Sequence, residues 1–556
     1  MDDAFLRAIR ADPEADLPRL VYADWLDEHD DPARAEFVRV QCELAKLADH
    51  DDAYAALEDR EHELLAEHEA KWLGDGPTPD EWTFRRGFVD EVRLDPADPP
   101  PGDWLTRQAV TSVTLAPRSR QARAERVVTL PGMEGLREVD AGSASGVWGL
   151  DHLHNLMHRW NTPGGKSLII EGLRGVSTLR HHFSGTTLTK TLRRLSCGGN
   201  SLSEARVYGI LNVAELAAVL GGSRLEELAI NDQRLLSVAP LLNAGFAGSL
   251  TSLDVSYNPL AADAYCDFVA ASPRLKLEQL DVSGTVLCGP TLRNLLAARC
   301  CETLTGLAIN DTTGNISLEW VTDSPYWEHA KSFSVHGNAS SYALLNPLTG
   351  FARRGGPASL RSLDLGDAPI GTDGARLLSE ARWMRHITWL NLASCSLDVP
   401  AVWHLARPGS FPYLRTLHLG HNNRSIRNPV DDTAVSALIG SPTLARLRLL
   451  TLTADPVTDY GVELLMNAPH FMLSGLGLSR TQITAGGVRT LAKSPRLARL
   501  NWLDLSDNAA LHSDALLPLA ESPYLSPLCD LDISRTGASD AVRDLLRQRL
   551  GRRLLD

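Results

Sequence analysis

The sequence predicts an α/β solenoid: a horseshoe with a parallel inner sheet and outer helices, behind a small all-helical cap at the N-terminus. Three observations predict it. An eleven-residue pattern, L-x-x-L-x-L-x-x-N-x-L, recurs along the chain and stands as LTSLDVSYNPL at 250–260. Its copies begin about 28 residues apart, which leaves room for a strand and a helix in each copy. The first 75 residues instead repeat their apolar positions every three or four residues, as helices do.

The N-terminal 1–80 are predicted to form a helical module. The segment from Asp2 to Gln41, with LVYADWLDE at 20–28 as its core, resembles the planctomycete repeat-companion domain that precedes repeat arrays. FRRGFVDEV at 84–92 resembles the segment by which such proteins enter their repeats. The resemblance implies a bacterial multi-repeat protein and supplies no catalytic residues.

Two interpretations of that core follow from its residues. In the first, the leucines and Trp25 are packing residues, because an aromatic residue at helical spacing is usually core, and Asp24 caps a helix or pairs with Arg19 or Arg34. In the second, Tyr22, Asp24 and Trp25 form a surface on which a peptide docks. Packing is the favoured interpretation.

The repeats are predicted to change character along the chain. Residues 84–190 read as degenerate repeats with an irregular insertion, and residues 191–538 as regular repeats of about 28 residues, which resemble leucine-rich repeats of the ribonuclease-inhibitor-like kind. The first position of the regular repeats is predicted at Leu192, Leu225, Leu250, Leu277, Leu304, Ala330, Leu360, Ile387, Leu414, Leu447, Leu473, Leu500 and Leu528.

The ninth position of the pattern is polar although it should be buried. A side chain there can satisfy backbone groups where each strand turns out of the sheet. The column is therefore predicted to be structural. Its members are Asn200, Asn258, Thr285, Thr312, Asn338, Cys395, Asn422, Thr481, Asn508 and Thr536.

The C-terminal 539–556 are predicted to close the array with a helix from about Ser539 to Leu554. Val542, Leu545, Leu546 and Leu550 share one face of it at helical spacing. The helix is also rich in arginine, which predicts a solvated basic face, with a binding patch as the alternative.

Charge and cysteine usage narrow the function. Net charge is −14, but residues 1–80 hold 23 Asp+Glu against 8 Lys+Arg, so the remainder is nearly neutral. That distribution has no concentrated positive field for nucleic acid. No apolar stretch is long enough to span a membrane, and the acidic N-terminus does not resemble a secretory signal. The eight cysteines have no disulfide or metal-knuckle spacing. A cytoplasmic protein, monomeric and without cofactor, is expected.

The favoured function is a non-enzymatic scaffold or inhibitor that binds a protein partner on the concave face. Side chains alternate along a strand, so the variable positions flanking the middle leucine face outward. Two tryptophans stand among small and acidic residues there, and such anchors suit protein binding. The predicted partner-binding residues are Asp364, Trp389, Asn391, His418, Trp502 and Asp504.

The alternative is a metal-dependent effector or enzyme centred on the irregular region 143–190. That region is rich in histidine, and His154 and His158 would project from one side of a helix. His181 or His182 would complete a metal site with Asp151. No defined second pair spacing supports this site, and no nucleophile, base and orienting acid can be assembled from the sequence.

Overall fold

The structure is a computed structural model, and it describes 2–47, 51, 53–74, 81–95, 99–100, 103–115, 131–133, 136–140, 166–171, 192–198, 213–312, 318–337, 355–421, 428–441, 445–468, 470 and 472–556. The chain divides into two units. The first unit is Met1–Val286 with Ala298–Thr303, and the second unit is Leu287–Ala297 with Leu304–Asp556.

The first unit begins with helices α1 (Asp2–Ala11), α2 (Leu17–Glu28), α3 (Pro32–Leu44) and α4 (Tyr54–Leu73). Asp31 starts α3 by accepting a hydrogen bond from the Arg34 N–H, and Pro32 fits the first turn because that turn needs no N–H there. Trp25 packs against the buried Ala23, as predicted. The predicted partners of Asp24 are wrong, because Asp24 pairs with Arg39 at 2.7 Å.

The rest of the first unit is a sheet with short helices. Strands β1 and β2 pair antiparallel, and from β2 onward each strand pairs parallel with the next. The elements are β1 (Glu81–Arg85), β2 (Phe88–Leu94), α5 (Trp104–Arg107), β3 (Ser112–Leu115), β4 (Glu138–Asp140), β5 (Lys166–Glu171), β6 (Leu192–Gly198), α6 (Val213–Leu220), β7 (Glu227–Ala229), α7 (Ala239–Leu242), β8 (Ser252–Asp254), α8 (Ala262–Ala271) and β9 (Gln279–Asp281), with 3₁₀ turns at Ala247–Ser249 and Arg299–Cys301.

The second unit repeats the strand and helix plan. Its elements are α9 (Gly289–Leu296), β10 (Gly306–Ala308), α10 (Leu318–Thr322), β11 (Ser332–Ser334), β12 (Ser362–Asp364), α11 (Gly371–Glu380), β13 (Trp389–Asn391), α12 (Val399–Leu405), β14 (Thr416–His418), α13 (Asp432–Ile439), β15 (Leu449–Thr451), α14 (Asp459–Asn467), β16 (Gly475–Gly477), α15 (Ala485–Lys493), β17 (Trp502–Asp504), β18 (His512–Ser513), α16 (Leu517–Ala520), β19 (Asp530–Asp532), β20 (Gly537–Ala538), α17 (Asp540–Leu550) and β21 (Leu554–Leu555), with 3₁₀ turns at Pro325–His329, Arg382–His386, Pro495–Arg499, Asp514–Leu516 and Gly551–Arg553. Within the described ranges, no helix is both long and apolar enough to cross a membrane.

These elements confirm the predicted α/β solenoid class. Parallel pairing in the second unit joins each middle leucine to the next, as Leu363 joins Leu390 and Leu390 joins Leu417. The thirteen predicted first-position residues are all buried, from fully buried Leu250 to Leu528 at 7% exposure. The core is therefore a stack of identical positions, in which each repeat covers the apolar side of its neighbour.

The ninth-position asparagines Asn258 and Asn508 link successive repeats, and Thr285 and Thr536 donate to carbonyls of their own repeats, which confirms the predicted structural role for these members. Asn200 and Asn338 lie outside the described residues. Asn258 is fully buried. Its Nδ2 donates to the carbonyls of Ile230 (2.7 Å) and Val255 (2.9 Å), and its Oδ1 accepts from the N–H groups of Gln233 (2.9 Å) and Leu235 (3.0 Å). One amide thus satisfies backbone groups in two neighbouring repeats, because it carries both donors and acceptors.

One member of this column was wrongly assigned from the pattern. Asn428, six residues after the predicted Asn422, accepts hydrogen bonds from the N–H groups of Cys395 (2.8 Å) and Leu397 (2.9 Å) and donates to the Leu392 carbonyl (2.7 Å). Asn422 itself lies outside the described residues. The fixed eleven-residue template misplaces the asparagine because the bridging residue of this repeat stands six positions farther along the chain.

The C-terminal helix differs from its prediction in length, in the role of its arginines and at Leu545, which is 39% exposed while Val542, Leu546 and Leu550 are buried. It ends at Leu550 instead of near Leu554, because Gly551 takes a φ of 58° and β21 then pairs parallel with β19. Arg549 is neither a solvated side chain nor part of a free patch. It donates to the backbone carbonyls of Ala520 (2.8 Å) and Leu525 (3.0 Å), which fastens α17 to the preceding repeat.

Candidate functional site

The outward side of the second unit's sheet carries the residues predicted to bind a partner. In β13, Leu390 is fully buried, whereas Trp389 and Asn391 on either side of it are only half-buried. The same alternation recurs in β14, β15 and β17. We call the positions before the middle leucine the aromatic column (Trp389, Thr416, Leu449, Gly475, Trp502) and those after it the polar column (Asp364, Asn391, His418, Thr451, Gly477, Asp504).

The polar column is hydrogen-bonded from strand to strand. Asn391 Nδ2 donates to Asp364 Oδ1 at 2.9 Å. The parallel register then places Asn391 beside His418, and His418 Nδ1 lies 3.0 Å from Thr451 Oγ1 in a hydrogen bond. Asp364, Asn391 and His418 are therefore direct neighbours, as predicted from their equal position in three consecutive repeats.

Acidic residues of this column also close the strand ends. Asp364 Oδ1 accepts from the Gly366 N–H at 3.0 Å, and Asp504 Oδ1 accepts from the Ser506 N–H at 2.9 Å. This contact with the backbone two residues on is an Asx turn. Asp254, Asp281, Asn391 and Asp532 make the same contact in their own repeats. The acids of this column are thus turn formers.

His336 adds a titratable group at one end of the polar column. Its Nδ1 lies 3.0 Å from Asp364 Oδ2, and its Nε2 lies 3.9 Å from Asp311 Oδ2. The hydrogen bond to Asp364 raises the pKa of His336, and the neighbouring Asp311 acts in the same direction. His336 also donates its backbone N–H to Asn310 Oδ1 at 2.9 Å, so its position is fixed on both sides.

His418 is the opposite case on the same face. Burial lowers its pKa, because no carboxylate is close enough to outweigh the loss of water around a charged ring. Its ring lies against the indole of Trp389, with ring centroids 5.3 Å apart. At neutral pH His418 is thus a neutral, largely apolar neighbour that holds Trp389 in place.

Trp502 and Asp504 lie three strands from His418. The strand between β15 and β17 carries glycine at both outward positions, and a Cβ built on Gly477 would stand 3.1 Å from Trp502 Cη2 and 3.0 Å from Thr451 Cγ2. The indole therefore lies across the two glycines, where any larger side chain would displace it. Burial raises the pKa of Asp504.

The structure thus brings the six predicted residues onto one face but in two groups. In the first group, Asn391 bonds to Asp364, and Trp389 packs against His418. The second group consists of Trp502 and Asp504. Leu449 and Thr451 bridge them. A Cβ on Gly475 would stand 3.2 Å from Leu449 Cδ1 and 3.4 Å from Trp502 Cε3, so leucine and indole meet over that glycine.

Sequence reasoning missed Leu449, the two glycines of β16 and His336. Leu449 has a readable signal, since an apolar residue occupies an outward position where neighbouring repeats are polar. Two glycines flanking a buried leucine in one strand are a second signal, since they mark a close approach. His336 had no such signal, because its interaction with Asp364 joins separate repeats.

The polar cluster around Asp364 does not have the geometry of a catalytic triad. Ser334 Oγ donates to Asn310 Oδ1 at 2.7 Å and to Asp364 Oδ2 at 3.2 Å, and His336 bonds to the same carboxylate oxygen. A triad needs its hydroxyl bonded to the histidine and the histidine bonded to the acid. Here the hydroxyl and the histidine both bond to the carboxylate, so the histidine is not placed to take the proton of the hydroxyl.

The predicted metal site cannot be placed. His154, His158, His181 and His182, with the whole of 143–165 around them, lie outside the described residues. In the described part of the chain, no three His, Cys, Asp or Glu side chains are grouped as ligands for a metal ion.

Comparison with known proteins agrees with the repeat assignment. The family model for the Leucine Rich repeat matches residues 357–379, which include β12 and most of α11. The chain thus carries a leucine-rich repeat array. No curated protein matches it.

Two solved structures resemble the chain at low identity. An internalin from Listeria monocytogenes is 16% identical over 64% of this chain and 91% of its own, with a TM-score of 0.33. A chain from a crystal structure of the Rad7 and Elc1 complex in yeast is 15% identical over 81% of this chain and 94% of its own, with a TM-score of 0.40.

Proposed function

We propose that this chain is a non-enzymatic interaction scaffold that binds a protein partner on the outward face of the second unit's sheet. The carrying observation is the aromatic column, in which Trp389, Leu449 and Trp502 are half-buried on the outward face beside the polar column. The partner surface comprises Asp364, Trp389, Asn391, His418, Trp502 and Asp504, extended by Leu449.

The two indoles have the properties of binding anchors. Trp389 is held by the His418 ring and Trp502 lies across the glycines of β16, so little side-chain freedom is lost when a partner covers them. They stand four strand steps apart, a span of roughly 19 Å at about 4.8 Å per step. That span matches a protein surface with a central apolar strip and a polar border.

The finer assignments are proposals of the same kind. We propose that the helical segment from α1 to α3 is a repeat-companion domain, supported by the packing of its LVYADWLDE core. We also propose a monomer that acts in the cytoplasm, where thiols stay reduced. The unpaired cysteines of the described residues support this, including adjacent Cys300 and Cys301, whose sulfurs are 3.9 Å apart.

The test compares capture by the wild type with capture by the double variant Trp389→Ala, Trp502→Ala. Each immobilised protein is incubated with lysate of the source organism, and retained proteins are quantified by mass spectrometry. The expected partner is retained by the wild type and lost from the double variant. With that partner purified, the affinity should fall by about 700-fold or more, since two buried aromatic anchors are removed and each contributes about 2 kcal/mol or more.

The matched control changes two outward residues of the first unit, Ser252→Ala with Gln279→Ala. It leaves the aromatic column intact, so the partner should be captured as by the wild type. Circular dichroism checks that every variant is folded. A partner held equally by the wild type and the double tryptophan variant would contradict the proposed surface.

A further inference from the structure

A cavity of about 340 Å³ lies in the first unit, among α1 to α4, β2 and α5. Its apolar lining includes Leu6, Tyr22, Leu26 and Phe88. Nothing in the proposed partner surface uses it. Two features of its polar lining indicate which class of ligand would fit it.

The first feature is the guanidinium of Arg34, which lines the cavity and is 7% exposed. It lies over aromatic rings, with its Cζ 4.7 Å from the centroid of Trp72 and 5.6 Å from that of Phe88. Burial lowers its pKa to about 10, so it still carries its charge at neutral pH. Its Nη1 has no hydrogen-bond partner.

The aromatic rings do not replace that partner. A cation–π contact acts through the face of the guanidinium, whereas its N–H bonds lie in the plane of the group and still need acceptors. Asp31 is the acid nearest in the lining, but its carboxylate accepts the backbone N–H of Arg34 and pairs with Lys71 Nζ at 3.1 Å. Among the described residues, the Arg34 side chain has no ion pair with a carboxylate.

The second feature is the indole N–H of Trp72. Trp72 also lines the cavity and is 9% exposed, and its Nε1 is buried without a hydrogen-bond partner. Two buried donors on residues of the same lining, one charged and one neutral, thus lack acceptors among the described residues. Native proteins rarely leave buried donors unpaired, so each such group calls for an explanation.

We propose that this cavity binds a small organic acid, with its carboxylate on Arg34 Nη1 and Trp72 Nε1 and its apolar body against Leu6, Tyr22 and Phe88. A carboxylate supplies acceptors only and carries the charge that Arg34 needs. The apolar lining selects against small inorganic anions, which gain nothing from such walls. The volume holds a body of one or two aromatic rings.

The experiment titrates the full chain with three carboxylates in turn, 3-phenylpropanoate, naphthalene-2-carboxylate and octanoate, by isothermal calorimetry. The primary amides of the same acids and acetate are the comparison probes. At least one carboxylate should bind with one-to-one stoichiometry and at least about tenfold more tightly than its amide, the factor of one charge-assisted hydrogen bond. Acetate should bind more weakly than that carboxylate.

Arg34→Met removes the charge and keeps an apolar side chain of similar length. The affinity for the carboxylate should fall by at least about tenfold. The midpoint of thermal unfolding should stay unchanged or rise, because an unpaired buried charge is removed. Arg39→Met is the control on the same helix. Arg39 pairs with Asp24 and Asp27 at the surface, so binding should not change.

Trp72→Phe tests the second donor without emptying the aromatic cluster, and it carries the test alone if Arg34→Met does not fold. Loss of the indole N–H should lower the affinity for the carboxylate by about threefold to tenfold. Three results would each overturn the proposal: no one-to-one binding of any of the three acids, equal binding of acid and amide, or unchanged acid binding by both Arg34→Met and Trp72→Phe.

Discussion

The outward sheet faces of the two units share a framework and differ in side chains. In both, acids such as Asp254 and Asp504 close the strand by an Asx turn, and asparagines such as Asn258 and Asn508 bridge repeats. In β7 to β9 the outward residues are small, polar or acidic: Glu227, Ala229, Ser252, Asp254, Gln279 and Asp281. The second unit places Trp389, His418, Leu449 and Trp502 at the same positions.

The comparison teaches that the repeat fold and the candidate site depend on different positions of the same eleven-residue pattern. Inward leucines and ninth-position amides are set by packing and by backbone hydrogen bonds, so they recur in both units. The outward positions meet neither demand, so they are free to differ. Recognition is expected where they differ most.

The largest expected effect tests the shared framework. Asn258→Ala in the first unit and Asn508→Ala in the second should each lower the free energy of unfolding by about 3 kcal/mol or more, because several buried backbone groups lose their partner at once. Asn508 Nδ2 donates to the carbonyls of Leu478 and Leu505, as Asn258 does to Ile230 and Val255. Urea denaturation followed by circular dichroism measures both.

Asn258→Thr is the graded control. Thr285 fills the same position in the next repeat and donates to the carbonyl of Val282. Threonine at position 258 should therefore keep the hydrogen bond within the repeat and lose the hydrogen bonds to the preceding repeat. The free energy of unfolding should fall less for Asn258→Thr than for Asn258→Ala. Equal costs for threonine and alanine would show that the bonds between repeats contribute little.

An effect of intermediate size, on partner affinity, distinguishes the outward sheet faces of the two units. In Gly477→Val, the added Cβ alone would stand 3.1 Å from the Trp502 ring, and valine adds two methyl groups beyond it, so the indole must move. Affinity for the captured partner should fall by about tenfold. The free energy of unfolding should change by no more than about 1 kcal/mol, because valine suits a strand.

Ala229→Val is the matched change in the first unit, at the same strand position and without an aromatic neighbour in the sheet pairings of β7. It should leave partner affinity unchanged. If both valine variants bind the partner as the wild type does, the position of Trp502 has no bearing on recognition.

The smallest effect concerns two histidines of one face. The folded-state pKa of His336 is raised above its usual 6.5, so its stabilising contribution is complete below pH 6.5 and is lost as pH rises through the folded-state pKa. The pKa of His418 is lowered, so its neutral form stabilises above pH 6.5 and this contribution is lost as pH falls.

Urea denaturation across pH 5 to 8 tests this difference with His336→Gln and His418→Gln. The stability advantage of the wild type over His336→Gln should shrink as pH rises. Its stability advantage over His418→Gln should shrink as pH falls. The same pH slope for both comparisons would contradict the opposite environments described for the two rings.

Much of the fold was readable from the sequence because each repeat answers the same local demands. The first-position residues were assigned correctly from Leu192 to Leu528, and all are buried. The errors occurred where a contact joins distant segments or a turn changes length. Asp24 pairs with Arg39 instead of Arg19 or Arg34, and Asn428 takes the place expected of Asn422.

The candidate site divides in the same way. Asp364, Asn391 and His418 were predicted as one row because equal positions in parallel repeats become neighbours. Leu449 and the glycines of β16, which connect Trp502 to that row, were missed because their importance depends on what lies beside them. The six residues were selected by type and position, and whether they bind a partner stays a prediction.

The sequence by itself determined the repeat, its period, its buried positions and the outward residues, because a strand of fixed side-chain alternation follows from local spacing alone. Only the tertiary structure decided which outward side chains touch, how His336 and His418 acquire opposite pKa shifts, and that Arg34 stands in an aromatic cavity without a carboxylate partner among the described residues. These features depend on burial and on neighbours from distant segments, which spacing along the chain does not specify.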